Sequence, residues 1–106
     1  MRGNSCLKHT KMHLAVLTLH LMLPGCTSLK QKRGLLRPIL TRLHHEFNLT
    51  IAEVDLLDVW REAVIVCAVV SNNSVHNQQV LQKVIRFTEL HWPDFYIADQ
   101  HIELIT

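Results

Sequence analysis

Glu53, Asp55 and Asp58 lie close together in the chain, and a histidine such as His20 or His101 beside them would complete an acid–base or metal-binding set. Such pictures are easy to draw in a chain with eight histidines. The supporting motifs are missing. There is no Cys-x-x-Cys pair and no glycine-rich phosphate loop, and three glycines offer little backbone for cradling a nucleotide. Glu53 and Asp58 are better read as partners for Arg61 or for the cations of residues 30–37. Cys6, Cys26 and Cys67 are odd in number and far apart, which indicates neither a disulfide framework nor a zinc ribbon. Cys67 sits in an apolar run and reads as a small buried hydrophobe. Cys26 would be nucleophilic only if a helix N-terminus lowered its pKa, and no base can be named beside it. These residues predict a protein that is not an enzyme, with no metal and no cofactor.

A different chemistry is suggested by Gly25-Cys26-Thr27-Ser28-Leu29-Lys30-Gln31-Lys32-Arg33. Pro24-Gly25 breaks the apolar run before it. Ser28 followed by Gln31 is a capping-box pattern, so a helix opens here. Lys30, Lys32 and Arg33 then crowd a helix end whose partial positive charge favours acids instead. Local stability does not call for them; packing elsewhere or an anionic partner does. Lys30, Arg33 and Arg37 recur at three- and four-residue steps and form a ridge that His44 extends. The site read from this pattern is a row of phosphate contacts made by Lys30, Arg33, Arg37 and Arg42. Lys32 points to the apolar side, where it must snorkel or meet a polar partner at the sheet end.

Charge is split along the chain. Before Glu53 the cations Arg2, Lys8, Lys11, Lys30, Lys32, Arg33, Arg37 and Arg42 face the single acid Glu46. From Glu53 onward Asp55, Asp58, Glu62, Glu89, Asp94, Asp99 and Glu103 join it against Arg61, Lys83 and Arg86. The split points to a basic face; the plainer account is that the two signs pair across the fold.

The chain's 106 residues suffice for one domain with a buried core. Residues 1–11 lack any period and read as a disordered extension, leaving residues 12–106 as a single domain. Arg2, Lys8 and Lys11, the apolar run to Leu23, and then Pro24-Gly25-Cys26 imitate a lipoprotein signal. His13, His20 and Pro24 spoil that pattern, and the run is the better strand. Met12 to Leu23 places Ala15, Leu17, Leu19 and Leu21 on one face and Leu14, Val16, Thr18 and His20 on the other. Ser28 to Phe47 carries a helical stripe of Leu29, Leu36, Leu40, Leu43 and Phe47, with a bend expected near Pro38 and a left-handed stop at Asn48. Leu49 to Val54 is a strand, and Ala63 to Val70 reads as one buried on both sides. Ser71 to Ser74 caps a helix that runs to His91 with Leu81, Val84, Ile85 and Thr88 inward. Phe95 to Ile105 is the last strand, in strict alternation with Ile97, Asp99, His101 and Glu103 on one face.

The order βαββαβ predicts an α+β, ferredoxin-like fold: a four-stranded antiparallel sheet with two helices on one face. The other face stays open. Leu14, Val16, Thr18 and His20 line it, and homodimerisation through that surface is the structural expectation.

At this level of detail the chain resembles the YlxP-like family of small bacterial proteins, which has no established biochemical function. The resemblance rests on Pro24-Gly25, Ser28-Leu29-Lys30, Lys32-Arg33, Phe47-Asn48, Ala52-Glu53-Val54-Asp55, Asp58-Val59-Trp60, Ala63 and Val70-Ser71-Asn72. It covers nearly all of residues 12–106, and the amino-terminal extension and Pro38 depart from the pattern. It implies a ferredoxin-like fold and a cytoplasmic bacterial protein, with no membrane role. It also implies association with structured RNA or a ribosomal subunit. The alternative is a homo-oligomeric scaffold or small-ligand module acting through the open sheet face. Base stacking on that face is disfavoured, because the inner strands carry no exposed aromatic pair.

Overall fold

The computed structural model describes residues 11–105, so the extension read over residues 1–11 lies, apart from Lys11, outside the described residues. Its elements are β1 (His13–Met22), α1 (Leu29–Phe47), β2 (Thr50–Asp55), β3 (Glu62–Ser71), α2 (Ser74–His91) and β4 (Tyr96–Ile105). The strands lie in the order β2-β3-β1-β4, and every neighbouring pair is antiparallel. This is the ferredoxin-like α+β arrangement expected from the sequence. The two most apolar strands take the centre, and the run that imitates a leader is the inner strand β1.

The core lies on one side of the sheet only. Ala15, Leu17, Leu19 and Leu21 of β1 and Ala63, Ile65, Cys67 and Val69 of β3 are buried beneath Leu36, Ile39 and Leu43 of α1 and Leu81, Val84 and Ile85 of α2. Alternate residues of the inner strands point to the uncovered face and stay half-exposed. The expectation that β3 is buried on both sides is therefore corrected. Its unbroken apolar run reflects one helix-covered face and one open apolar face.

Two further readings change. The most buried positions of α1 are Lys32, Leu36, Ile39 and Leu43, whereas Leu40 and Phe47 pack at the margin. An apolar count misses this stripe because a lysine holds its first position. Strict alternation in β4 also fails. The register with β1 shifts between His20 and Leu21, and Ala98 has no partner, so Ile97 shares the core face with Gln100 and Ile102.

The helix ends follow their sequence signals. Asn48 adopts φ 49° and ends α1 in the left-handed region. Asn73 caps α2, its side chain accepting from the His76 N–H at 3.0 Å. Helix α1 runs through Pro38 as one element.

Candidate nucleic-acid interface

The turn that launches α1 is fixed from both sides. The Leu23 N–H donates to the Arg61 carbonyl at 2.8 Å, and the Arg61 Nε–H donates to the Cys26 carbonyl at 3.2 Å. Gly25, at φ 82°, takes the conformation that a side chain would resist. Ser28 caps the helix by accepting from the Gln31 N–H at 3.0 Å. The return arm reaches one residue further back than a capping box predicts: Gln31 Oε1 accepts from the Thr27 N–H at 2.7 Å and from the Thr27 hydroxyl at 2.9 Å.

Lys32 fixes the orientation of the helix. Its side chain is 2 % exposed, its Nζ lies 2.8 Å from Glu53 Oε2, and it donates to the Leu56 carbonyl at 2.7 Å. The contact with Glu53 is ionic, because Oε2 has no partner in hydrogen-bond geometry although it is buried. Leu56 itself sits at φ 56°, with its N–H on the Asp55 carboxylate at 2.8 Å. A buried lysine thus ties the first turns of α1 to the end of β2 and the loop after it.

With Lys32 turned inward, Lys30, Arg33 and Arg37 turn outward. All three are exposed, and among the described residues none of them forms an ion pair. Arg33 and Arg37 border a surface groove of about 280 Å³, shared with Leu36, Leu40, Thr41 and Glu53 on the β2 side of the helix. The carboxylate in this groove is already neutralised by Lys32, so the arginines set its sign.

Arg42 does not join this ridge. Five residues beyond Arg37, it lies about 140° around the helix, and its guanidinium stands 5.2 Å from the centre of the Phe87 ring. Phe87 in turn borders an adjoining surface with Lys83, Arg86 and Leu90 of α2 and Glu46 and Phe47 of α1. Sequence reading omitted Lys83 and Arg86 from the site. Their three-residue spacing on the outward side of α2 is the signal that could have found them.

The acid–base set drawn from the sequence is dispersed. Glu53 faces the helices. His20 lies on the open face, where its Nε2 is 2.8 Å from Glu62 Oε1, and His101 is across from Thr18 on the same face. No group of three or more His, Cys, Asp or Glu side chains among the described residues could hold a metal ion. Cys26 is buried with its Sγ 3.4 Å from the Ser28 carbonyl, and burial pushes the Cys67 thiol up to about 12. Leu14, Val16, Thr18 and His20 do share the uncovered face, half-exposed.

Fold and site together define a ferredoxin-like α+β protein whose first helix carries a cationic row with no ion pair among the described residues. The chain belongs to the family described as "Protein of unknown function (DUF503)", whose model matches residues 14–102. It is similar to the uncharacterized protein YlxP of Bacillus subtilis (strain 168), 39% identical over 62 residues, covering 58% of this chain and 67% of that protein. The solved structure of the de novo designed protein Foldit4 shares the fold, with TM-score 0.53 and 10% identity over 91% of this chain and 98% of that one. Among the described residues no helix is long and apolar enough to cross a membrane.

Proposed function

We propose that this YlxP-like chain is a non-catalytic cytoplasmic factor that associates with structured RNA or a ribosomal subunit through α1. The observation that carries the reading is the unpaired state of Lys30, Arg33 and Arg37 beside an inward, neutralised Lys32. Arginines used to stabilise the fold would be expected on carboxylates, and the later half of the chain supplies many. These remain free for phosphate oxygens, which a guanidinium can grip with two parallel hydrogen bonds. Arg42 contributes from the other flank with Lys83 and Arg86, so the cations of the helix layer outnumber its acids Glu46 and Glu89. Contacts with phosphates alone position without reading sequence, so shape rather than base identity would select the RNA.

Retention on purified ribosomal subunits and on structured RNA at rising salt tests this. Wild type is expected to be retained at low salt and released as salt rises, and Arg33→Glu with Arg37→Glu to release it throughout. Unaltered retention of the double variant contradicts the proposal.

The second reading is a self-associating scaffold or small-ligand module working through the open face. It draws on the uncovered, largely apolar placement of Leu14, Val16, Thr18 and His20. Sedimentation of wild type against Val16→Glu separates the readings, since a scaffold loses its assembly and a helix-borne RNA contact survives. Two copies stacked face to face would oppose like charges, which places this reading second.

A further inference from the structure

Not one of the four strands contains a lysine or an arginine. Four of their five acids gather on the open face, Glu53 alone turning to the helices. Glu62 pairs in register with Met22, Asp99 with His20, Glu103 with Val16 and Asp55 with Val64. Partners across a ladder share a face, and these four are on the face away from the helices. Between them runs an apolar strip of Leu14, Val16, Val64, Val66 and Ala68, continued by Val70 at 65 % exposure. The strip follows β3 and the first part of β1, with Thr18 and His20 opposite Val66 and Val64. Asp99 and Glu103 flank it on β4, and Asp55 flanks it on β2.

The geometry points to a basic amphipathic polypeptide segment, apolar on one side and bordered by Lys or Arg, as the occupant of this face. A contiguous apolar strip with a polar border is the usual form of a docking surface. From Val64 to Val70 the strip is about 20 Å long, and neighbouring strands are about 4.8 Å apart. A helix about 10 Å in diameter covers two strands, and about 14 residues at about 1.5 Å rise run that length. Its flanking cations then lie above the outer strands, where long side chains reach the carboxylates while their stems cover apolar surface. The other occupants fit less well. A second copy of the chain brings four more carboxylates, of which Glu62 alone lies against a histidine, and no lysine or arginine to a sheet spacing of about 10 Å; the remaining charges must be desolvated against their own sign. Nucleic acid and anionic lipid are repelled for the same reason. The two faces therefore take partners of opposite charge: phosphates on the helix layer, a cationic polypeptide on the sheet.

Two synthetic 18-residue helical peptides test this, one with leucine and lysine faces and one with leucine and glutamate faces, titrated into the full chain and followed by backbone amide shifts. The Leu/Lys peptide is expected to shift amides of β1, β3 and β4. Asp99→Lys with Glu103→Lys, two exposed positions on an outer strand, is expected to weaken it about tenfold through like-charge repulsion. Circular dichroism checks that this variant keeps its fold. The Arg33→Glu/Arg37→Glu variant should bind the peptide as wild type does, which separates failure here from failure of the RNA reading. Equal binding of the Leu/Glu peptide, shifts confined to α1 and α2, or full affinity in the Asp99→Lys/Glu103→Lys variant overturns the proposal. So do β1 and β3 shifts that follow protein concentration without peptide, since a second copy would then be the occupant.

Discussion

Lys32 is the residue on which the orientation of α1 turns. Removing one partner of a buried pair leaves a desolvated charge, whereas replacing both with apolar groups removes the penalty as well. Lys32→Met alone should therefore cost about 3–5 kcal/mol. Lys32→Met with Glu53→Leu should recover much of that loss, and a double-mutant cycle in urea reads the difference. The Leu56 carbonyl is a second acceptor, so recovery will be incomplete. Asn77 plays a similar part at the other end of the sheet. It is fully buried, donates to the His13 carbonyl at 3.0 Å and accepts from the Ser71 hydroxyl at 2.6 Å. Asn77→Leu takes the side-chain donor from the His13 carbonyl, while the Ser71 hydroxyl can still donate to the Asn73 carbonyl at 3.1 Å, and should cost about 1–3 kcal/mol in the same assay. Cys67 gives a pH signature. Its thiol is pushed up from 9.0 to about 12 in the folded chain, because burial disfavours the thiolate. Above pH 9 the unfolded chain loses this proton and the folded chain keeps it, so stability falls as pH rises. Below pH 9 both states hold the proton and the effect vanishes. The slope should approach about 1.4 kcal/mol per pH unit, and Cys67→Ala should flatten it in denaturation measured from pH 8 to 11.

At the scale of elements, the caps set the helix limits. Ser28→Ala and Asn73→Ala each remove an acceptor from a first-turn N–H and should cost about 1 kcal/mol. Thermal melts of the two variants check this. Much here is legible in the sequence, because local chemistry decides it: Asn48 ends α1 and Asn73 starts α2 through side chains a few residues away. The inward set Leu81, Val84, Ile85 and Thr88 follows from period alone. The failures share a cause, which is dependence on a distant partner. Ile39 belongs to the α1 core because Lys32 occupies the first place of its stripe, and a buried lysine is tolerable only with Glu53 and Leu56 opposite. The shift at Ala98 is set by pairing with β1, which no pattern within β4 reveals. Asn77 looks like an outward polar residue until His13 and Ser71 are placed beside it. Charge alone groups Arg42 with Lys30, Arg33 and Arg37, yet helical rotation and Phe87 hold it on the other flank.

For the whole molecule, the split of charge along the chain becomes a split between layers. The strands contribute acids without lysine or arginine, and the helices carry Lys30, Lys32, Arg33, Arg37, Arg42, Lys83 and Arg86. Among the described residues, Lys32 is the one of these cations paired across the fold, with Glu53, and Glu62 lies against His20. The rest of the charge is left standing as a basic face and an acidic one, which would steer approaching partners by sign over roughly a Debye length, about 8 Å at physiological salt. The most direct test of the basic face is the salt dependence of binding to a structured RNA. Three contacts from Lys30, Arg33 and Arg37 predict a log–log slope of about −2.7, with Arg42 adding about −0.9. Arg33→Glu/Arg37→Glu is expected to lower its magnitude by about 2 along with the affinity. The same slope and affinity in that variant and in wild type would contradict the central claim that this row holds phosphates.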